Sequence, residues 1–254
     1  MSLPKALLFD VDGTLADTER DGHRVAFNKA FKDAGLDWHW DEVLYGDLLS
    51  VTGGKERMLY FIEQHEPALP ELDDLPAYVA ELHRAKTEHY ISLLQEGEIP
   101  LRPGVARLLQ EARERGITLG IATTTTEENV ACLIEMTLGA EALDWFAVMA
   151  AGDMVEQKKP APDVYLLAME QLGLTPSQCL AFEDSVNGLQ SALAAGLKTV
   201  ITVNDYTAHE AFPGAALVLD SLGEPQKPAR VLSGAMNKKY LDVDGLAEIF
   251  NQAG

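Results

Sequence analysis

Six short apolar runs recur along this chain, the first of them stopping abruptly at charged and glycine residues. They are Lys5–Phe9, Ile117–Ala122, Phe146–Ala150, Cys179–Phe182, Thr199–Val203 and Leu217–Leu219. A strand with one wet face alternates apolar and polar residues, whereas a strand covered on both faces does not. Amphipathic segments lie between the runs. In Val105–Gly116, Leu108, Leu109 and Ala112 share one stripe and Gly116 stops the helix; Asp163–Gly173 has Asp163 as a candidate N-cap; Gly188–Gly196 is a third. Strands alternating with helices predict an α/β fold with a doubly wound, Rossmann-like parallel sheet.

One interval breaks the alternation. From about Asp17 to Gly97 there is no strand signal, only helical stripes such as Phe27, Ala30, Phe31 and Ala34, or Leu75, Tyr78, Val79 and Leu82. Pro67, Pro70 and Pro76 divide it into several helices. A crossover of this length is an inserted domain. The expected organisation is therefore a catalytic core of residues 1–16 and 98–254, with an all-α cap, 17–97, that governs substrate specificity. The cap leaves from the carboxyl end of the first strand and should sit above it. The tail after Leu222 reads as polar and irregular apart from a short helix near Gly245–Phe250.

Charge narrows the partners. Forty Asp and Glu against twenty Lys and Arg give a net charge of −20, a field that repels nucleic acid and anionic membranes. An anionic substrate would then need local cations or a metal. Two cysteines, Cys132 and Cys179, are too few for a disulfide scaffold. The apolar run at Ala6–Phe9 meets Asp10 too soon for a secretory leader, and no run approaches the ~20 apolar residues of a span. A cytoplasmic monomer is expected.

In open α/β sheets ligands bind outside the carboxyl ends of the strands, so the residues after each run are the candidate site. Asp10-Val-Asp12-Gly13-Thr14 follows the first, Thr123–Thr126 the second, and Glu183-Asp184-Ser185 the fourth; Lys158-Lys159-Pro160 precedes a proline-rich turn. Crowded carboxylates need a hard divalent cation such as Mg²⁺, which takes oxygen ligands. With a hydroxyl and an ammonium added, the set suits a phosphoryl group. Asp10 can attack phosphorus, Asp12 can protonate the leaving oxygen and later activate water, and Thr123 and Lys159 can hold the phosphoryl oxygens. Asp10, Asp12, Glu183 and Asp184 are the candidate metal ligands. Lys159 is preferred to Lys158 because it directly precedes the Pro-Ala-Pro turn.

Asp10-Val-Asp-Gly-Thr-Leu15, Thr123, Lys159-Pro-Ala-Pro-Asp163 and Glu183-Asp-Ser-Val-Asn-Gly188 resemble, in order, the four motifs of the haloacid dehalogenase superfamily. The resemblance spans Lys5 to about Asp220 and implies a Mg²⁺-dependent phosphatase working through an aspartyl phosphate. Trp38-His-Trp40, Thr52–Arg57, His83–Thr87 and Ala151–Met154 resemble cap and core segments of a subgroup that hydrolyses xylulose-1,5-bisphosphate to xylulose 5-phosphate. That substrate has a second phosphate, for which Lys55, Arg57, Arg84 and Lys86 are the available cations. Arg84 ranks first and Lys55, beside the Gly53-Gly54 turn, second; Glu19 could bind sugar hydroxyls and the Thr124 amide a phosphate. The expected substrate-binding set is Glu19, Gly54, Lys55, Arg84 and Thr124. Trp38 and Trp40 read as packing residues, and His23 has no zinc-ligand spacing. Alternatives are a sugar-phosphate mutase, a phosphonoacetaldehyde hydrolase using Lys55, and a phosphate-sensing module without turnover.

Overall fold

The computed structural model describes residues 2–97 and 99–252. Strands β1 (Ala6–Phe9), β2 (Thr118–Ala122), β3 (Phe146–Ala150), β4 (Cys179–Glu183), β5 (Lys198–Thr202), β6 (Leu217–Leu219) and β7 (Val231–Ser233) form one sheet in the order β3-β2-β1-β4-β5-β6-β7. The first six are parallel, and β7 pairs antiparallel with β6. Chain order reverses at β1, whose neighbours are β2 and β4, so the crevice of this sheet opens at the carboxyl ends of β1 and β4.

The strand runs lack alternation because both faces are buried. On β1, Leu7 and Phe9 enter one apolar cluster while Ala6 and Leu8 enter another. The first helices lie in the insert: α1 (Arg24–Asp33), entered through a π-helical turn at Glu19–His23, then α2 (Glu42–Leu48), α3 (Gly54–His65) and α4 (Leu75–Gln95). The rest belong to the core: α5 (Val105–Glu114), α6 (Glu127–Leu138), α7 (Asp163–Leu172), α8 (Val186–Ala194) and α9 (Val243–Phe250). Of these core helices, α5, α6 and α9 pack into the larger cluster, and α7 and α8 into the smaller, alanine-rich one.

The insert has its own aromatic centre. Phe27, Phe31, Trp38, Trp40, Tyr45 and Phe61 are buried together, with Trp40 edge-on to Phe31 and Phe61. Yet Ala26, Tyr90, Leu93 and Leu94 join the larger cluster of the sheet, so the insert is rooted in the core at the base of α1 and α4. Its two connections run side by side: Ala16 bridges Leu101, and the Arg102 amide donates to the Leu15 carbonyl at 2.9 Å. The boundary expected between residues 97 and 98 touches Glu98, outside the described residues.

Three local expectations change. The tail holds β7, a three-residue edge strand with two exposed positions, too short and too wet to leave an apolar run. Helix α6 carries β2 into β3 and had not been anticipated. The N-cap of α7 is Pro162 rather than Asp163, which is the first helical residue; its carboxylate accepts instead from the Gln157 amide at 3.4 Å. Among the described residues no helix is long and apolar enough to cross a membrane.

Candidate active site

Four segments that are far apart in sequence meet at the carboxyl edge of β1, β2 and β4. Asp10 follows β1, and its amide donates to the Phe182 carbonyl on β4 at 3.0 Å. The Lys159 ammonium lies 2.6 Å from Asp10 Oδ1, 2.6 Å from Glu183 Oε1 and 2.9 Å from the Ala122 carbonyl it donates to. Glu183 Oε1 also accepts from the Tyr165 hydroxyl at 2.5 Å. All four side chains are buried, so this is an ammonium desolvated between two carboxylates, and it is left unpaired only if both are lost. Lys158 turns the other way and pairs with Glu56 of α3 at 2.9 Å.

Asp10, Glu183 and Asp184 can each place one carboxylate oxygen within 4.8 Å of the others. Burial, opposed by Lys159 and reinforced by Glu183 and Asp12, pushes the Asp10 carboxyl up to about 7. Burial and the charges of Asp10 and Glu183 hold Asp184 well above the usual range. Three crowded carboxylates facing one ammonium, with oxygen donors only, fit a hard divalent cation such as Mg²⁺. The glycines of the motifs make this crowding possible. A Cβ on Gly188 would lie 1.9 Å from Glu183 Oε2, and one on Gly13, whose φ is +81°, would lie 2.2 Å from Asp184 Oδ2.

Asp12, expected as a fourth metal ligand, has its carboxylate outside this cluster. Its Oδ1 accepts from the Thr18 hydroxyl at 2.5 Å and lies 2.9 Å from His23 Nε2. Burial works against ionisation, but His23 and Thr18 outweigh it and bring Asp12 down to about 2. His23 stacks on Tyr90, with ring centroids 4.0 Å apart, and its Nδ1 lies 2.8 Å from Lys86 Nζ. Lys86 is buried against the rings of Phe27 and Tyr90, and that burial, opposed by Asp12 and Glu19, lowers it to about 8. Since an ammonium can only donate, Nδ1 accepts and Nε2–H points at Asp12.

A cavity of about 390 Å³ separates this floor from the insert, with Asp10, Asp12, Lys159 and Asp184 below and Glu19 and Arg57 above. Glu19 accepts from the Tyr45 hydroxyl at 2.5 Å; Arg57 is buried, donates to that hydroxyl at 2.9 Å and lies 3.8 Å from Glu19. Thr124 lines the cavity. Thr123 is buried, with its hydroxyl turned to the Thr125 amide at 3.3 Å. Gly54 lines a smaller recess beside Lys86, Lys158 and Thr124–Thr126.

Two expected substrate cations lie elsewhere. Arg84 is 59% exposed and paired with Glu81 at 2.5 Å and with Glu88, all on α4. Two residues along an α-helix turn the direction by roughly 200°, so the face that buries Lys86 leaves Arg84 in solvent. Lys55 is half-exposed at the rim, 3.5 Å from Asp153, and lines neither space. Arg57 and Lys86, ranked below Arg84, are the inward cations. Thr18 and Tyr45 were not singled out, and His23 was weighed only as a zinc ligand, because only the π-helical turn and the fold of α2 bring them to the site.

Comparison with known proteins shows the family. A model of haloacid dehalogenase-like hydrolases matches residues 4–196. Protein CbbY of Cereibacter sphaeroides is 49% identical over 220 residues, covering 87% of this chain and 93% of its own. A phosphorylated carbohydrates phosphatase of Thermotoga maritima is 29% identical over 229 residues, covering 90% and 97%. The crystal structure of a CbbY mutant from Rhodobacter sphaeroides in complex with xylulose-(1,5)bisphosphate is similar at a TM-score of 0.81 and 47% identity, covering 86% and 95%. The chain therefore belongs to the haloacid dehalogenase-like hydrolase family, as one of its phosphatases.

Proposed function

We propose that this phosphatase hydrolyses xylulose-1,5-bisphosphate to xylulose 5-phosphate and inorganic phosphate, through a phosphoryl group carried on Asp10. The observation that carries the reading is the lining of the cavity, to which the sheet edge brings three crowded carboxylates with Lys159 and the insert brings buried Arg57 beside Glu19. A bisphosphate needs cations at both ends, and Arg offers the two-pronged contact that phosphate prefers. The 47% identity to a chain crystallised with that sugar bisphosphate supports the same choice.

An Asp10 oxygen attacks the phosphorus, and the bond to the sugar oxygen breaks as that oxygen takes a proton from Asp12. The phosphoryl group then sits on Asp10, and Asp12, again a carboxylate, takes a proton from the water that attacks phosphorus and frees Asp10. Lys159, fixed by the Ala122 carbonyl and Glu183, neutralises charge gathering on the transferred oxygens. Mg²⁺ held by Asp10, Glu183 and Asp184 would supply further positive charge there. To act as the acid, Asp12 must take up a proton, and His23 can pass its Nε2 proton to Asp12 Oδ1 as its Nδ1 takes one from the Lys86 ammonium, leaving Lys86 a neutral amine. Glu19, which lines the cavity on the side of the insert, would bind the sugar hydroxyls.

Phosphate release with Mg²⁺ from xylulose-1,5-bisphosphate, ribulose-1,5-bisphosphate, hexose 1-phosphates and phosphoglycolate tests the assignment. A kcat/KM for xylulose-1,5-bisphosphate at least tenfold above the others is expected. Equal turnover of all four, or conversion of a hexose 1-phosphate to its 6-phosphate, would overturn it.

A further inference from the structure

The short turn after β5 touches both halves of the molecule. Asn204 Nδ2 donates to Asp184 Oδ2 at 2.7 Å, while Asn204 Oδ1 accepts from the amides of Tyr206 at 2.9 Å and Thr207 at 3.2 Å. Two amide donors at Oδ1 leave only one orientation for the side chain, with Nδ2 facing the carboxylate. The Thr207 hydroxyl returns a contact, accepting from the Asn204 amide at 3.0 Å. Asn204 and Asp184 are pressed together against Gly13, where a Cβ would come within 2.6 Å of Nδ2 and 2.2 Å of Oδ2.

The same turn meets the insert. The Tyr206 ring stands edge-on to Tyr45 at 6.0 Å, and a Cβ on Gly46 would lie 3.1 Å from Tyr206 Cδ1. Tyr45 in turn bonds Glu19 and Arg57. The neighbouring Asp205–Arg20 pair, at 2.6 Å, also spans core and insert. It is exposed and worth little, so the Tyr206 packing is the firmer of the two contacts.

We infer that Asn204 is a positioning residue for the metal carboxylate Asp184, and that Tyr206 couples the seating of the helical insert to that carboxylate. The route is two residues long: α2 packs on Tyr206, the Tyr206 amide bonds Asn204, and Asn204 orients Asp184. By reciprocity, a bound cation would favour the seated insert. The inference rests on the proposed role of Asp184 as a metal ligand.

The test is Mn²⁺ binding to the full chain by electron paramagnetic resonance, without substrate, together with the Mg²⁺ concentration that half-saturates phosphate release. Loss of a group behind a metal ligand typically weakens binding 10- to 100-fold, and that range is expected for Asn204→Ala and Asn204→Ser. Serine keeps an oxygen that can bond the turn amides but cannot reach Asp184, so it separates positioning from collapse of the turn. Tyr206→Ala, which touches no carboxylate, should weaken Mn²⁺ about fivefold, within the usual span of coupled sites. Tyr206→Phe should bind like the parent, since the tyrosine hydroxyl has no hydrogen-bond partner. Parent-like affinity in Asn204→Ser overturns the positioning role, and parent-like affinity in Tyr206→Ala overturns the coupling. A parent chain that binds no Mn²⁺ overturns the metal reading itself.

Discussion

Replacing Asp10 by Asn should abolish turnover and, in the absence of metal, stabilise the fold in a pH-dependent way. The buried carboxyl ionises near 3.8 when solvated and at about 7 in the fold. Its folded value is raised, so the fold carries no penalty below pH 3.8, an increasing one up to 7, and the whole of it above. At roughly 1.4 kcal/mol per tenfold change, the full penalty is about 4 kcal/mol. Asn keeps the shape and an acceptor for Lys159 but carries no charge. Each kcal/mol moves the melting point of a chain this size by roughly 2–4 °C. Thermal unfolding with EDTA should therefore show Asp10→Asn melting at least about 4 °C above the parent at pH 8, as little as about 1 kcal/mol being enough for that. The gap should shrink steadily towards pH 4, and Mg²⁺ should narrow it at pH 8 by stabilising the parent more. A variant that melts below the parent at pH 8, or a gap independent of pH, would refute the argument that the site stores unfavourable charge.

Other consequences are equally direct. Gly188→Ala drives a methyl into Glu183, and overpacking of about 1–3 kcal/mol should appear in urea unfolding, together with a loss of turnover as Lys159 is displaced. Arg57→Ala should raise KM for the bisphosphate at least tenfold while Arg84→Ala leaves it unchanged; steady-state kinetics that reverse this order would return Arg84 to the substrate. His83, held down to about 3 by burial and by Lys86, Lys55 and Lys158, is neutral in the fold, so its contribution is complete above pH 6.5 and is lost as pH falls from there towards 3. Urea unfolding at pH 7.5 and 5 should show the parent losing about 2 kcal/mol through this group, a loss absent in His83→Gln; equal pH dependence would contradict it.

The core was legible because its signals are local. A doubly buried strand needs an apolar run, and the residue after it must face the crevice, so Asp10, Thr123, Glu183 and Asp184 could be located from β1, β2 and β4 alone. Gly13 and Gly188 follow the same logic, since no other residue leaves room for the carboxylates beside them. The insert was harder. Lys86 and Arg84 are neighbours of equal charge on one helix, and only the packing of Phe27 and Tyr90 decides which faces in. His23 reaches Asp12 through a π-helical turn that leaves no periodic trace, and Asn204 meets Asp184 from 20 positions further on, beyond α8 and β5. β7 was missed because three half-wet residues carry too little pattern.

The central claim is that Asp10 carries the phosphoryl group. Acid quenching during turnover of xylulose-1,5-bisphosphate with Mg²⁺, followed by peptide mass spectrometry, tests it most directly. The account predicts a phosphorylated peptide spanning Asp10, with the modification on that carboxylate and absent in Asp10→Asn. Turnover with the phosphoryl group on another residue, or persisting undiminished in Asp10→Asn, would contradict it.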